Sequence, residues 1–148
     1  MAERLVICDT GPIVSALNRR ERSRHEFAAE LLDSYGARAI IPWPVYVETD
    51  LLLRNRGFAD NAVNLGRALL AHEHSLVTLT DEQLAFALTL LTRFQKIGLE
   101  VPDASVMALS ISIDAPILTW DFRHFRAVVP SRGVNFQLLV SENELPAS

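Results

Sequence analysis

The chain has 148 residues, 49% of them apolar and 22% charged, the balance of a globular protein that buries a core without metal or disulfide support. Cys8 is the single cysteine, which excludes an internal disulfide, and with only four scattered histidines the sequence carries no zinc pattern. A net charge of −4 excludes a broad, indiscriminate nucleic-acid binder, but not a protein whose acidic residues hold a cation.

The first residues, Met1 to Arg4, lead into an apolar run at Leu5–Cys8 that is too short for a secretory signal and reads as a buried strand. Cys8 within it reads as an inert buried thiol. Asp9-Thr10-Gly11-Pro12 then turns the chain into a helix, with Pro12 at an early helical position. Ser23-Arg24-His25-Glu26 has capping-box spacing, and Phe27, Leu31 and Tyr35 recur every four residues behind it. A second apolar run, Ala39–Ile41, precedes a helix expected over about Val45 to Arg54. A third, Leu76–Leu79, runs into Thr80-Asp81-Glu82-Gln83, another capping box, followed by Leu84, Leu88 and Leu91. Pro102-Asp103 opens a helix carrying Val106, Met107, Ser110 and Ile111, and Pro116–Trp120 reads as the fourth strand. Alternation at Val134, Phe136, Leu138 and Val140 predicts a final edge strand.

Strands alternating with helices predict an α/β domain over residues 1–148, with a parallel sheet covered on both faces. Ligands of such sheets bind beyond the carboxyl ends of the strands, where Asp9 and Asp121 fall. No run of about 18 apolar residues is present, so no membrane span is expected and a cytoplasmic location follows. Lys96 is the only lysine among 14 basic residues; arginine suits bidentate phosphate contacts, although codon usage gives the same excess. The arginines expected to meet a substrate are Arg19, Arg20, Arg22 and Arg24 after the first helix, and Arg123 and Arg126 beyond Asp121.

Four carboxylates occupy unusual contexts. Asp9 ends the first apolar run, as a ligand mount or as a plain turn residue. Glu48 has Pro44, Val45, Leu51 and Leu52 as its helical neighbours, so it needs a partner: a cation, a proton or an arginine. Asp50, with Arg54 four residues on, is an ordinary exposed ion pair. Asp103 is either an N-cap or a ligand, and Asp121 is either a turn residue or a ligand. Four carboxylates drawn together from four elements repel one another unless protonated or bridged by a cation. An oxygen-only set selects Mg²⁺ or Mn²⁺ over zinc or copper. The chemistry expected is metal-assisted phosphoryl transfer, with hydrolysis its simplest case.

These residues resemble the PIN domain family, and within it the VapC-type toxins of bacterial toxin–antitoxin pairs. The resemblance rests on Asp9-Thr10-Gly11-Pro12, Glu48, Pro102-Asp103-Ala104-Ser105, Thr119-Trp120-Asp121-Phe122-Arg123-His124-Phe125, and a tail with Arg126-Ala127-Val128-Val129-Pro130 and Phe136-Gln137-Leu138-Leu139. It covers nearly the whole chain. It implies a three-layer fold of about five mostly parallel strands flanked by helices, and a Mg²⁺-dependent (or Mn²⁺-dependent) endoribonuclease. Its catalytic acids would be Asp9, Glu48, Asp103 and Asp121, with Asp9 and Asp103 the principal metal ligands and Thr119 a frequent hydroxyl contributor. It also implies an RNA substrate, a cognate VapB-type antitoxin, frequent homodimers, and contact with DNA only through the antitoxin. Trp120 is bulkier than the family often has between Thr and Asp. A DNA nuclease with the same acids and a non-catalytic PIN-like binding module are the alternatives. A phosphatase of the haloacid dehalogenase type needs a second Asp two residues after the first, where Gly11 stands.

Overall fold

The computed structural model describes residues 4–129 and 135–148. Its four-stranded sheet is built from β1 (Val6–Cys8), β2 (Ala39–Pro42), β3 (Ser75–Val77) and β4 (Ile117–Leu118), in the order β3-β2-β1-β4. Every pairing is parallel: Ile7 sits opposite Ile40 on one side and Ile117 on the other, and Ile41 sits opposite Leu76. Successive strand side chains point to opposite faces, and Val6, Ile7 and Cys8 are all fully buried, so both faces are covered. Fully burying each such Val or Ile contributes about 1.5–3 kcal/mol. The third strand is less enclosed, with all its residues half-buried.

Seven α-helices surround the sheet among the described residues: α1 (Thr10–Leu17), α2 (Ser23–Tyr35), α3 (Trp43–Asn55), α4 (Ala59–Leu70), α5 (Asp81–Arg93), α6 (Val101–Ile113) and α7 (Phe122–Ala127). Helix α6 packs on β1, β2 and β4 through an almost unbroken buried run from Ala104 to Ser110, while α3 packs on β2 and β3. The Thr80 capping box forms as expected: Gln83 N–H donates to Thr80 Oγ1 at 3.1 Å, and Gln83 Oε1 accepts the Thr80 N–H at 2.9 Å.

Three expectations are corrected. The Ser23–Glu26 box does not form: Arg22 precedes α2 at φ 53°, and its carbonyl accepts the Glu26 N–H at 3.1 Å. The final strand is reduced to a single parallel bridge between Ile117 and Leu138, and Val134 lies outside the described residues. Helix α3 begins two residues earlier than expected, because Pro44 tolerates the first turn, where backbone N–H groups lack intrahelical partners.

The chain leaves β1 toward β2 on one side and later returns to β4 on the other. The strand order therefore reverses between β1 and β4, leaving a crevice at their carboxyl ends.

Candidate active site at the sheet's switch point

The first acid stands where β1 ends. Asp9 N–H donates to Leu118 O at 2.9 Å, which ties the turn to β4. Asp9 is almost wholly enclosed, and Oδ2 accepts the Thr119 hydroxyl at 2.7 Å. Thr119 Oγ1 also accepts the Asp121 N–H at 2.9 Å, so one hydroxyl positions two acids. Burial, with the like charges of Asp103 and Glu48, pushes the Asp9 carboxyl up to about 7 against the opposing pull of the Thr119 hydroxyl.

Asp103 sits on the first turn of α6, two residues inside it, and is not the N-cap. Its Oδ2 accepts the Glu100 N–H at 3.3 Å. Burial and the charges of Asp121 and Glu48 push its carboxyl up to about 6, although the Glu100 N–H and His124 work the other way. Glu48 lies beside the buried stripe of α3 (Val45, Thr49, Leu53) and is half-buried rather than enclosed. No salt bridge engages it among the described residues, so the structural arginine pair considered for it is absent; the Asp50–Arg54 pair forms at 2.8 Å. Asp121 caps α7, with Oδ1 accepting the His124 N–H at 3.1 Å.

All four acids line one cavity of about 560 Å³. Asp103, Asp121 and His124 place ligand-type atoms within 4.8 Å of one another, a trio that does not include Asp9. His124 carries no assigned role in the sequence, and the geometry gives it one. Its Nε2 lies 2.8 Å from Ile97 O and its Nδ1 lies 2.7 Å from Asp121 Oδ2. A carbonyl only accepts, so Nε2 carries a proton. Nδ1 facing a carboxylate at that distance carries one too, unless Asp121 is protonated. Burial works against the charged ring, but the Ile97 carbonyl and the Asp121 carboxylate outweigh it and hold His124 above its ordinary value. With both ring nitrogens engaged, His124 orients Asp121 and neutralises part of the cluster rather than binding a metal. Sequence reasoning missed it, although an Asp with a His three residues later at a helix start is a local pattern.

A hard divalent cation fits this donor set. The carboxylates come from separate elements, and two of them are raised by burial and mutual repulsion, a strain that a cation relieves. Beside Asp9, Thr10 Oγ1 is buried without a hydrogen-bond partner and lines the same cavity, an orphan that a water bound in the site would satisfy.

Trp120 forms one wall. Its indole N–H donates to Ser15 Oγ at 2.8 Å, and Ser15 Oγ donates to Glu21 Oε1 at 2.7 Å; Glu21 and Glu100 add two further carboxylates to the cavity lining. Gly11 is required beneath the indole, since a Cβ there would come within 3.2 Å of Trp120 Cδ1. Cys8, immediately before Asp9, has its thiol pushed up to about 12 by burial and by the neighbouring carboxylate, which makes it inert as expected. None of the six arginines expected to meet a substrate lines the cavity. Arg20 lies over the Phe58 ring, Arg24 donates to Pro146 O, and Arg126 pairs with Glu142.

No helix among the described residues is long and apolar enough to cross a membrane. Comparison with solved structures gives VapC20 of Mycobacterium tuberculosis, described as a sarcin-ricin loop cleaving toxin, at 20% identity and TM-score 0.71, covering 88% of this chain and 98% of that one. VapBC2 of Rickettsia felis, bound to a DNA fragment from its promoter, aligns at 17% identity and TM-score 0.60, over 85% and 94% of the two chains. A toxin–antitoxin complex from Klebsiella pneumoniae aligns at 16% identity and TM-score 0.59, over 85% and 98%. At these identities the likeness establishes the fold alone. No curated protein sequence matches significantly. The PIN domain profile matches residues 6–129, which takes in β1 through α7 and all four acids, and the chain therefore belongs to the PIN domain family.

Proposed function

We propose that this chain is the toxin of a type II toxin–antitoxin pair, an endoribonuclease that hydrolyses RNA phosphodiester bonds with Mg²⁺ (or Mn²⁺) as cofactor. The observation that carries the reading is the convergence of Asp9, Glu48, Asp103 and Asp121 on one cavity at the switch point. Asp9 and Asp103 would hold the cation, as the two members whose carboxyls burial and repulsion raise most clearly. A divalent cation there neutralises charge on phosphoryl oxygens and lowers the pKa of a bound water.

The chain's own groups have separable tasks. The Thr119 hydroxyl donates to Oδ2 and so fixes the rotamer of Asp9 in the cavity wall. His124, held by the Ile97 carbonyl at Nε2, fixes Asp121 in place through Nδ1. Glu48, without an ion-pair partner among the described residues, is free to accept a hydrogen bond from the attacking water and orient it toward phosphorus. Trp120, locked by Ser15 and seated on Gly11, walls the cavity against bulk water.

The partner in this reading is a VapB-type antitoxin, with DNA contacted only through it. A second groove of about 610 Å³ runs between α3 and α4, lined by Trp43, Tyr46, Val63 and Leu70. Trp43 is 45% exposed, Val63 41% and Leu70 82%, a concentration of large apolar surface that suits a bound apolar segment. Homodimerisation belongs to the same proposal.

The test is to incubate the purified chain with total cellular RNA in Mg²⁺ and in EDTA. Discrete cleavage only with metal supports the enzyme. RNA left intact under both conditions refutes it in favour of a non-catalytic module, and cleavage confined to single- or double-stranded DNA refutes the RNA assignment.

A further inference from the structure

A nuclease pocket lined mainly by carboxylates must still hold a polyanion. Among the described residues only two basic side chains line it, His124 and Arg56. His124 is committed to Asp121 and the Ile97 carbonyl. Arg56 is exposed and engages no ion pair or side-chain hydrogen bond among the described residues. Its neighbour Arg54 behaves differently, being bound to Asp50 at 2.8 Å away from the acidic cavity.

We propose that Arg56 binds a backbone phosphate of the RNA strand beside the scissile one, an inference that rests on the nuclease reading. Glu48, Leu52 and Arg56 follow one another at four-residue intervals along α3 and all line the cavity. At 1.5 Å per residue, Arg56 stands about 12 Å along the axis from Glu48. No ion pair joins its guanidinium to Glu48 among the described residues. The separation removes Arg56 from the scissile phosphate while leaving it on the path of a strand that crosses the acids. A guanidinium matches the paired non-bridging oxygens of a phosphate, and no carboxylate competes for this one. Arg56 follows the last residue of α3, so compensation of the helix dipole is the rival explanation for its presence. That role would leave RNA binding untouched.

The test measures binding of a fluorescent twelve-nucleotide oligouridylate as a function of salt. Asp9→Asn serves as the cleavage-deficient background, and Arg56→Ala, Arg56→Lys and Arg126→Ala are added to it. One lost phosphate contact flattens the log–log salt dependence by about 0.7, equivalent to about fivefold weaker binding at 0.1 M salt. The expected result is that loss for Arg56→Ala, partial recovery for Arg56→Lys, and no change for Arg126→Ala, whose charge is paired with Glu142. In the Asp9-intact enzyme, Arg56→Ala should raise KM for RNA with kcat nearly unchanged. An unchanged salt slope for Arg56→Ala, in a protein whose parent cuts RNA, overturns the assignment of Arg56 alone. A parent that neither cuts cellular RNA nor binds the oligonucleotide overturns the nuclease reading and this inference with it.

Discussion

Replacing Asp9 by Asn separates the electrostatic cost of the site from its chemistry. In the metal-free protein the Asp9 carboxyl is raised from 3.8 to about 7, with burial the largest cause. An acid whose folded pKa exceeds its unfolded one binds more protons in the native state. Stability is therefore fully present below about pH 4 and falls as pH rises through about 7. At 1.36 kcal/mol per pH decade, ionised Asp9 costs on the order of 4 kcal/mol by pH 8, and about half that after allowing for relaxation and water entry. Asn keeps the shape, and its Oδ1 still accepts the Thr119 hydroxyl that Asp9 receives at 2.7 Å. In EDTA at pH 8, Asp9→Asn should therefore melt above the parent. The gain is about 2–4 kcal/mol, roughly 5–15 °C for a domain of this size. At pH 5 the advantage should shrink to within a few degrees, because the native parent is then protonated. Mg²⁺ should raise the melting temperature of the parent and not of the variant. RNA cleavage should be lost. Differential scanning fluorimetry from pH 5 to 8, with and without Mg²⁺, reads all of this. A variant that melts at or below the parent at pH 8, with an unchanged pH dependence, would refute the claim that Asp9 is held ionised against its surroundings.

His124→Ala removes the imidazolium that holds Asp121, and outer-shell losses of this kind reduce metal affinity or activity by about 10–100-fold. The titration of cleavage against Mg²⁺ should shift to higher concentration, and an unaltered midpoint and rate would exclude the positioning role. Gly11→Ala places a Cβ within 3.2 Å of a Trp120 ring that Ser15 and Phe27 also hold. Overpacking costs about 1–3 kcal/mol and helix propensity returns up to about 1, so a net loss of roughly 1 kcal/mol is expected. The indole fluorescence should shift with it, and identical spectra and melting would contradict the close seating. Leu70→Glu, at a residue 82% exposed in the α3–α4 groove, should abolish co-purification with the proposed VapB-type antitoxin, co-expressed from the adjacent open reading frame, while sparing RNase activity. Undiminished co-purification would place the antitoxin elsewhere.

The strands were legible because both faces of the sheet are covered, so each appears as a continuous apolar run. Val6–Cys8 and Ile117–Leu118 show this at its simplest. Local hydrogen-bond patterns were legible where nothing competed, as at Thr80 and Gln83, and failed where the preceding backbone intervened. At Ser23 the positive φ of Arg22 delivers a carbonyl to the N–H that a capping side chain would have taken. The four acids stand out in the sequence because each follows an apolar run, opens a helix or lies among apolar helical neighbours. The contacts that bring them to one cavity could not be read there. Thr119 meets Asp9 across 110 positions and Trp120 meets Ser15 across 105, and no periodicity encodes which side chains a parallel sheet brings together. Arg56 was missed for a simpler reason: the helix was expected to stop near Arg54, whereas α3 runs to Asn55 and carries the Glu48 stripe as far as the cavity's edge.

The placement of positive charge explains how an acidic chain could act on RNA at all. Net charge governs long-range attraction, and at −4 this chain attracts no polyanion from a distance. Under the proposed function, binding would come from short-range contacts made once the strand has reached the cavity, and a divalent cation held by Asp9 and Asp103 would offset the local negative charge. At least five of the 13 arginines are already engaged: Arg20 with Phe58, Arg24 with Pro146, Arg38 with Tyr35, Arg54 with Asp50 and Arg126 with Glu142. The same logic predicts how the proposed antitoxin would inhibit. If it seats an apolar segment between α3 and α4 and extends a lysine or arginine toward the acids, it would supply the positive charge itself and exclude the strand without any rearrangement of the fold.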